Sequence, residues 1–201
     1  MNETPIPRQL RHLPHWNGLL IPAITIRHRD NTPILGEVDF DKVATFLRAG
    51  LCQLCGEPLG KPTNTAVAMV RPADMMRGWI NEPAQHRWCA DYSRQSCPML
   101  AGRLDRYRQT PRSARRCGDP LCLCDGWTAD NVDGVIRSGQ AADPWYAVSF
   151  PASSYRLAYT ARGELRGVLL KHLKQPKIEL VTRGNPGADD LALIVALGLP
   201  W

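Results

Sequence analysis

Two pairs of soft metal ligands, Cys52-Gln-Leu-Cys55 and His86-Arg-Trp-Cys89, stand about thirty residues apart and constrain this chain more than any other feature. Thiolates two residues apart can grip one tetrahedral ion, and Gly56 directly after the second lets backbone amides turn toward the sulfurs. A histidine and a cysteine at i and i+3 in the first turn of a helix point the same way. Together the pairs supply the four donors that a closed structural zinc site requires. Catalytic zinc keeps a position open for water, so a site of three thiolates and one imidazole is expected to stabilise the fold instead.

The order of these parts is that of a treble clef: a Cys-x2-Cys knuckle, a short β segment, then His-x2-Cys on a helix. The assigned ligands are Cys52, Cys55, His86 and Cys89 around one structural Zn(2+). Cys97 lies two helical turns beyond Cys89 and reads as a small buried hydrophobe, although it can replace His86 if the helix breaks early. Cys117, Cys122 and Cys124 form a second cluster in a loop containing Gly118 and Pro120. Three soft ligands are not four. This cluster is either a set of free or redox-sensitive thiols, or a second zinc site completed by Cys97, by a histidine such as His12 or His15, or by Asp119. Seven cysteines are an odd number, which suits metal binding and free thiols better than a disulfide framework.

The amino terminus carries Pro5, Pro7 and Pro14 among polar residues, unlike a secretory signal, and the longest apolar runs, Leu19 to Ile26 and Leu191 to Leu199, are shorter than the roughly 18–20 residues of a membrane span. A cytoplasmic location in a bacterial host follows as the expectation, with no membrane partner.

The fold class expected is α+β, a treble-clef-like zinc-binding half followed by a small β-β-α-β-α half. Residues 1–38 read as a proline-rich arm laid over the rest, with one strand at Leu19 to Ile26 broken by Pro22. Within 39–101, Asp39 caps a helix over Phe40–Ala49 and Gly50 stops it. A short strand follows at Ala66 to Val70, and Pro83 opens a second helical pattern through Met99 that carries His86, Cys89, Tyr92 and Cys97, with Pro98 terminating the helix near Ser96. Residues 102–143 read as an arginine-rich irregular linker. In 144–201, Trp145–Phe150 and Tyr155–Thr160 form a hairpin, Gly163–Lys174 a helix, Lys177–Thr182 a strand, and Asp189 or Asp190 starts a last helix to Leu199.

The net charge of +6 is spread along the chain, but its density is not. Arg103, Arg106, Arg108, Arg112, Arg115 and Arg116 face a single acid, Asp105, within fourteen residues. Guanidinium groups fork onto phosphate or carboxylate, so nucleic acid or an acidic host protein is the expected counterpart, and a small-molecule substrate is not. The plain alternative is a solvated basic loop. Tyr107 is the one aromatic interleaved, which gives base stacking little support. Trp88, beside the ligands, and Trp127, beside the basic loop, are the tryptophans placed to bind.

The segments Leu51-Cys-Gln-Leu-Cys-Gly-Glu-Pro-Leu-Gly60, His86-Arg-Trp-Cys-Ala-Asp-Tyr92 and Ser96-Cys-Pro-Met-Leu100 resemble a group of phage, prophage and environmental bacterial proteins. The shared features are a Cys-x2-Cys-Gly-x-Pro-Leu knuckle and a His-x2-Cys-Ala-x-Tyr helix ending in Cys-Pro. Arg11-His-Leu-Pro14 and Gly18-x3-Pro22 are similar too. The resemblance covers about half the chain and implies a zinc-bound core and a mobile-element origin, such as a host-takeover or anti-defence factor. It carries over no activity and does not reach residues 101–201. The functional expectation is therefore a zinc-stabilised, non-enzymatic binding protein. The alternative is a His-Asn-His nuclease, which also uses a treble clef. That reading lacks a catalytic histidine between knuckle and helix, because His86 is spent as a ligand.

Overall fold

A computed structural model describes residues 4–61, 64–110, 116–127 and 137–201. The arm contributes β1 (His15–Trp16), β2 (Leu19–Leu20), β3 (Thr25–Arg27) and β4 (Pro33–Val38), paired as two antiparallel ribbons, β1 with β2 and β3 with β4. Its Leu10, Leu20 and Ile24 enter the main core, so the arm is packed down. Backbone bonds from Ala23 N to Leu54 O (3.0 Å) and from Ile24 N to Gln53 O (3.4 Å) tie it to the knuckle.

Helix α1 (Phe40–Ala49) has the bounds expected from its sequence. The Asp39 carboxylate accepts from Lys42 N at 3.1 Å, Gly50 closes the other end, and Val43 and Leu47 face inward. Strand β5 (Thr65–Val70) follows. A short helix absent from the sequence reading, α2 (Pro72–Arg77), comes next, with proline in its first turn where the missing N–H costs nothing. Strands β6 (Trp79–Ile80) and β7 (Gln85–His86) lead into α3 (Arg87–Ser96). The helix expected from Pro83 thus starts four residues later, because Gln85 and His86 pair with Val67 and Ala66 of β5 as an edge strand.

The carboxyl half contains β8 (Trp145–Pro151), β9 (Leu157–Tyr159), β10 (Leu165–Leu169), β11 (Lys177–Thr182) and α4 (Ala188–Ala196). Two expectations fail here. The runs expected as a hairpin do not pair: β8 lies between β11 and β5, whereas β9 pairs with β10 in a second sheet, β6-β10-β9. The segment expected as a helix, Gly163–Lys174, is β10 and a following turn. A bulge between Leu165 and Gly167 puts an extra residue into the strand, so its inward Leu165 and Val168 fall three apart, as on a helix. Gly167, at φ +151°, passes so close to β6 that a β-carbon would collide with the Ile80 carbonyl. The order is therefore β-β-β-β-α, within a mixed α/β fold.

The four-stranded antiparallel sheet β11-β8-β5-β7 draws two strands from each half of the chain. Both faces of β5 are covered, which explains its unbroken apolar run. Ala66, Ala68 and Val70, with Tyr146, Val148 and Phe150 opposite, join the main core, and Val67, Met69 and Ala147 meet Ala90 and Leu100 on the other side. The main core runs from Leu10 to Leu199, so the boundaries expected near 101 and 144 do not divide it. In the linker, Ala142 N donates to Asp105 O (2.8 Å) and Tyr107 N to Gln140 O (2.9 Å), bringing its two ends together.

Candidate metal centres

The knuckle is built by its backbone. Cys52 N donates to Glu57 O (2.8 Å), Gly56 N to Cys52 O (2.9 Å), and Gly56 sits at φ +79°, a turn that side chains disfavour. Gln53 N donates to Ala84 O (3.3 Å), bringing the knuckle beside β7 and the start of α3. The ligand atoms of Cys52, Cys55, His86 and Cys89 consequently lie within 4.8 Å of one another. His86 Nδ1 is 3.3 Å from Cys55 Sγ and 3.9 Å from Cys89 Sγ. Donors around one tetrahedral ion at zinc bond lengths lie roughly 3.3–3.8 Å apart, so these separations fit a metal with little adjustment.

The imidazole is prepared for that task. His86 Nε2 donates to Pro58 O at 2.8 Å, which orients the ring and turns Nδ1 toward the sulfurs, the nitrogen that would bind an ion once its proton is displaced. The exposed Trp88 ring stacks on His86 with centroids 4.6 Å apart and planes 7° apart. Cys52 and Cys89 are fully buried, His86 is buried and Cys55 half-buried. Hydrogen bonding among the thiols, first from Cys52, holds Cys55 far below the ordinary thiol range. The same crowding pushes Cys89 far above it. Hydrogen bonds to Cys52 and then Cys55 raise His86 to about 10. Without an ion the cluster therefore favours one thiolate, on Cys55, beside a charged imidazole; a divalent cation among the four donors would displace the remaining protons and let all the sulfurs bind as thiolates.

A second group meets the same geometric test: His28, Cys117, Cys122 and Cys124 also lie within 4.8 Å of one another. Cys122 Sγ is 3.6 Å from His28 Nδ1, and Cys117 Sγ is 3.8 Å from Cys124 Sγ. His28 stands just after β3 in a tight turn, with His28 N donating to Thr32 O and Asn31 N to His28 O, both at 2.9 Å. Trp127 packs on its ring at 4.8 Å. A hydrogen bond to His28 draws the Cys122 thiol down to about 6.

The fourth member of this group is not one that sequence reasoning proposed. His12 and His15 are exposed in the arm, and Asp119 pairs with Arg29 at 3.3 Å. Cys97 joins neither group and packs, half-buried, against the Val67, Met69 and Leu100 cluster. His28 is about ninety residues from the cysteines, and the one sequence signal for it is its place in a turn-forming His-Arg-Asp-Asn stretch.

The arginine run divides. Arg103 donates to Gln95 O (3.0 Å) and Ser96 O (2.8 Å), capping the carboxyl end of α3. Arg106 donates to Gly139 O (3.2 Å), and Arg116 donates to Cys124 O. Arg103, Arg106, Arg108 and Arg116 are all exposed. Arg112 and Arg115 lie outside the described residues.

A buried ionic network holds the base of the linker. Asp74, 3% exposed, accepts from Arg71 Nε (2.9 Å), Arg71 Nη2 (2.8 Å) and Arg77 Nη2 (2.6 Å). Arg71, 8% exposed, also faces Asp143 at 3.5 Å, and Tyr107 Oη donates to Asp143 at 2.6 Å. Burial and the Asp143 carboxylate push the Tyr107 phenol well above its ordinary value, so it remains a donor.

Comparison with protein-family models, curated proteins and solved structures finds no significant match. Among the described residues, no helix is long and apolar enough to cross a membrane.

Proposed function

We propose that this chain is a zinc-stabilised, non-enzymatic binding protein of phage type, and that its arginine-rich segment engages nucleic acid. One observation carries the reading: the Cys52, Cys55, His86 and Cys89 cluster offers four converging donors, and both nitrogens of its histidine are spent, one on the sulfurs and one on Pro58 O. Such a centre has no open position for substrate or water and no free imidazole to act as a base. The nuclease alternative loses its one candidate base at this centre. A treble clef is the finer description that the order of knuckle, β5, β7 and α3 around the cluster supports.

The binding half of the proposal rests on the density of arginines in this segment, with Arg106, Arg108 and Arg116 exposed and Arg112 and Arg115 between them in sequence. Phosphate contacts release counterions, and a footprint of about four phosphates on duplex DNA gives a slope of roughly −3.6 for log affinity against log salt. The test is fluorescence anisotropy of labelled duplex and single-stranded probes between low and physiological salt. The steep slope should flatten in a variant carrying Arg108→Ala, Arg112→Ala and Arg115→Ala. Arg103→Ala, which removes a helix cap, should leave the slope in place. Absence of binding at low salt, or binding indifferent to salt, overturns the nucleic-acid reading and makes an acidic protein the counterpart to test.

A further inference from the structure

We propose that His28, Cys117, Cys122 and Cys124 bind a second zinc ion, which fastens the carboxyl end of the arginine-rich segment to the turn between β3 and β4. The donor set has the same composition as the first cluster, three thiols and one imidazole, and the separations of 3.6 and 3.8 Å again match a tetrahedral shell. His28, Cys122 and Cys124 are buried, whereas Cys117 is exposed.

A second, independent observation concerns what else holds this loop. Residues 116–127 contain a single short 3-10 turn, Leu123–Gly126, and no strand. Their aliphatic side chains do not anchor them: Leu121 is 68% exposed and Leu123 84% exposed. A surface loop that points its leucines at solvent while turning two thiols inward onto a distant histidine gains little from apolar burial. Beyond the Trp127 ring on His28, the four donors are its main inward anchor, as in small metal-bound modules whose folding free energy is binding free energy. The histidine side of the site is set independently of this loop, since the turn bearing His28 is closed by two backbone hydrogen bonds. Two weaker contacts agree with the same docking: Arg29 pairs with Asp119 at 3.3 Å, and Arg116 donates to Cys124 O.

The two centres then differ in role. The first lies in the main core, with Cys52 and Cys89 among its members, and holds the fold. The second lies at the surface and links the arm to the loop, so its loss should release the arginine-rich segment and spare the core. Because Cys117 is exposed, a chelator reaches this ion first.

The test uses the full-length chain. Titration of the metal-free protein with Co(2+) should raise the thiolate-to-cobalt charge-transfer absorption in proportion up to two equivalents, and mass spectrometry under native conditions should find two zinc ions per chain. Saturation at one equivalent overturns the proposal without touching the first centre. In the Cys117→Ser, Cys122→Ser variant one ion should remain, near-ultraviolet dichroism should be kept, and tryptic cleavage between Arg103 and Arg116 should quicken by an order of magnitude or more. Two ions retained in that variant, or unchanged cleavage, overturn it. The Cys52→Ser, Cys89→Ser variant separates the centres: losing the fold there while two equivalents of cobalt bind the wild type is the result expected.

Discussion

Replacing Asp74 by alanine removes the carboxylate that accepts the hydrogen bonds of the Arg71 guanidinium. In the intact protein Asp74 accepts two side-chain bonds from Arg71, one from Arg77, and one from Arg71 N at 3.0 Å. The Arg71 and Asp74 side chains are 9% and 4% exposed, so solvent screens the pair very little. After the substitution, the Arg71 charge keeps Asp143 at 3.5 Å and the field of the nearby Glu82 carboxyl, and the 5.7 Å approach of the guanidinium to the Trp145 ring adds little. Breaking a buried pair from one side costs about 3–5 kcal/mol, because the remaining charge is left in a poor solvent. For a chain of this size that corresponds to a fall in Tm of roughly 6–20 °C. Arg77→Ala should cost much less, since that side chain is 31% exposed and water can take its place. Differential scanning fluorimetry with urea melts reads both. The double variant Arg71→Met, Asp74→Leu should recover part of the loss. A drop under about 1 kcal/mol for Asp74→Ala would show that water reaches the pair and refute the reasoning.

Three further outcomes follow from the same structure. Stripping metal with a strong chelator at neutral pH should abolish cooperative thermal unfolding, because a structural zinc site contributes on the order of 10 kcal/mol, as much as the whole stability of a typical domain. Circular dichroism melts before and after zinc is restored check this, and an identical melt in chelator is the contrary result. Gly167→Ala should destabilise by about 3 kcal/mol or abolish soluble expression, because the new methyl group meets the Ile80 carbonyl and not a flexible side chain; urea unfolding measures it. His86→Ala should behave like metal removal, whereas Trp88→Ala, which deletes an exposed stacking partner, should retain metal and lose about 1 kcal/mol or less; metal content with urea unfolding distinguishes them.

The features legible from sequence are those whose physics is local. Asp39 and Gly50 bracket α1 because a cap and a left-handed stop act within one turn. Cys52, Cys55, His86 and Cys89 declare themselves because ligand spacing within each pair is short. What escaped depends on partners distant along the chain. His86 belongs to a strand and not to the helix because Ala66 lies opposite it, and no periodicity in 83–89 reports that pairing. β10 mimics a helix because a bulge at Gly167 shifts its apolar residues to a three-residue interval. His28 completes the second cluster across about ninety residues, so only the folded chain brings it to Cys122. The arginine run, uniform in composition, divides in space: Arg103 caps α3, and Arg116 turns back onto the cysteine loop.

Zinc-edge X-ray absorption on the Cys117→Ser, Cys122→Ser variant, which isolates the core centre, tests the central claim most directly. Three sulfurs near 2.3 Å and one nitrogen near about 2.0–2.1 Å are the shell predicted for Cys52, Cys55, Cys89 and His86. A shell of oxygen and nitrogen alone, or protein that holds no metal after zinc is supplied, would contradict it.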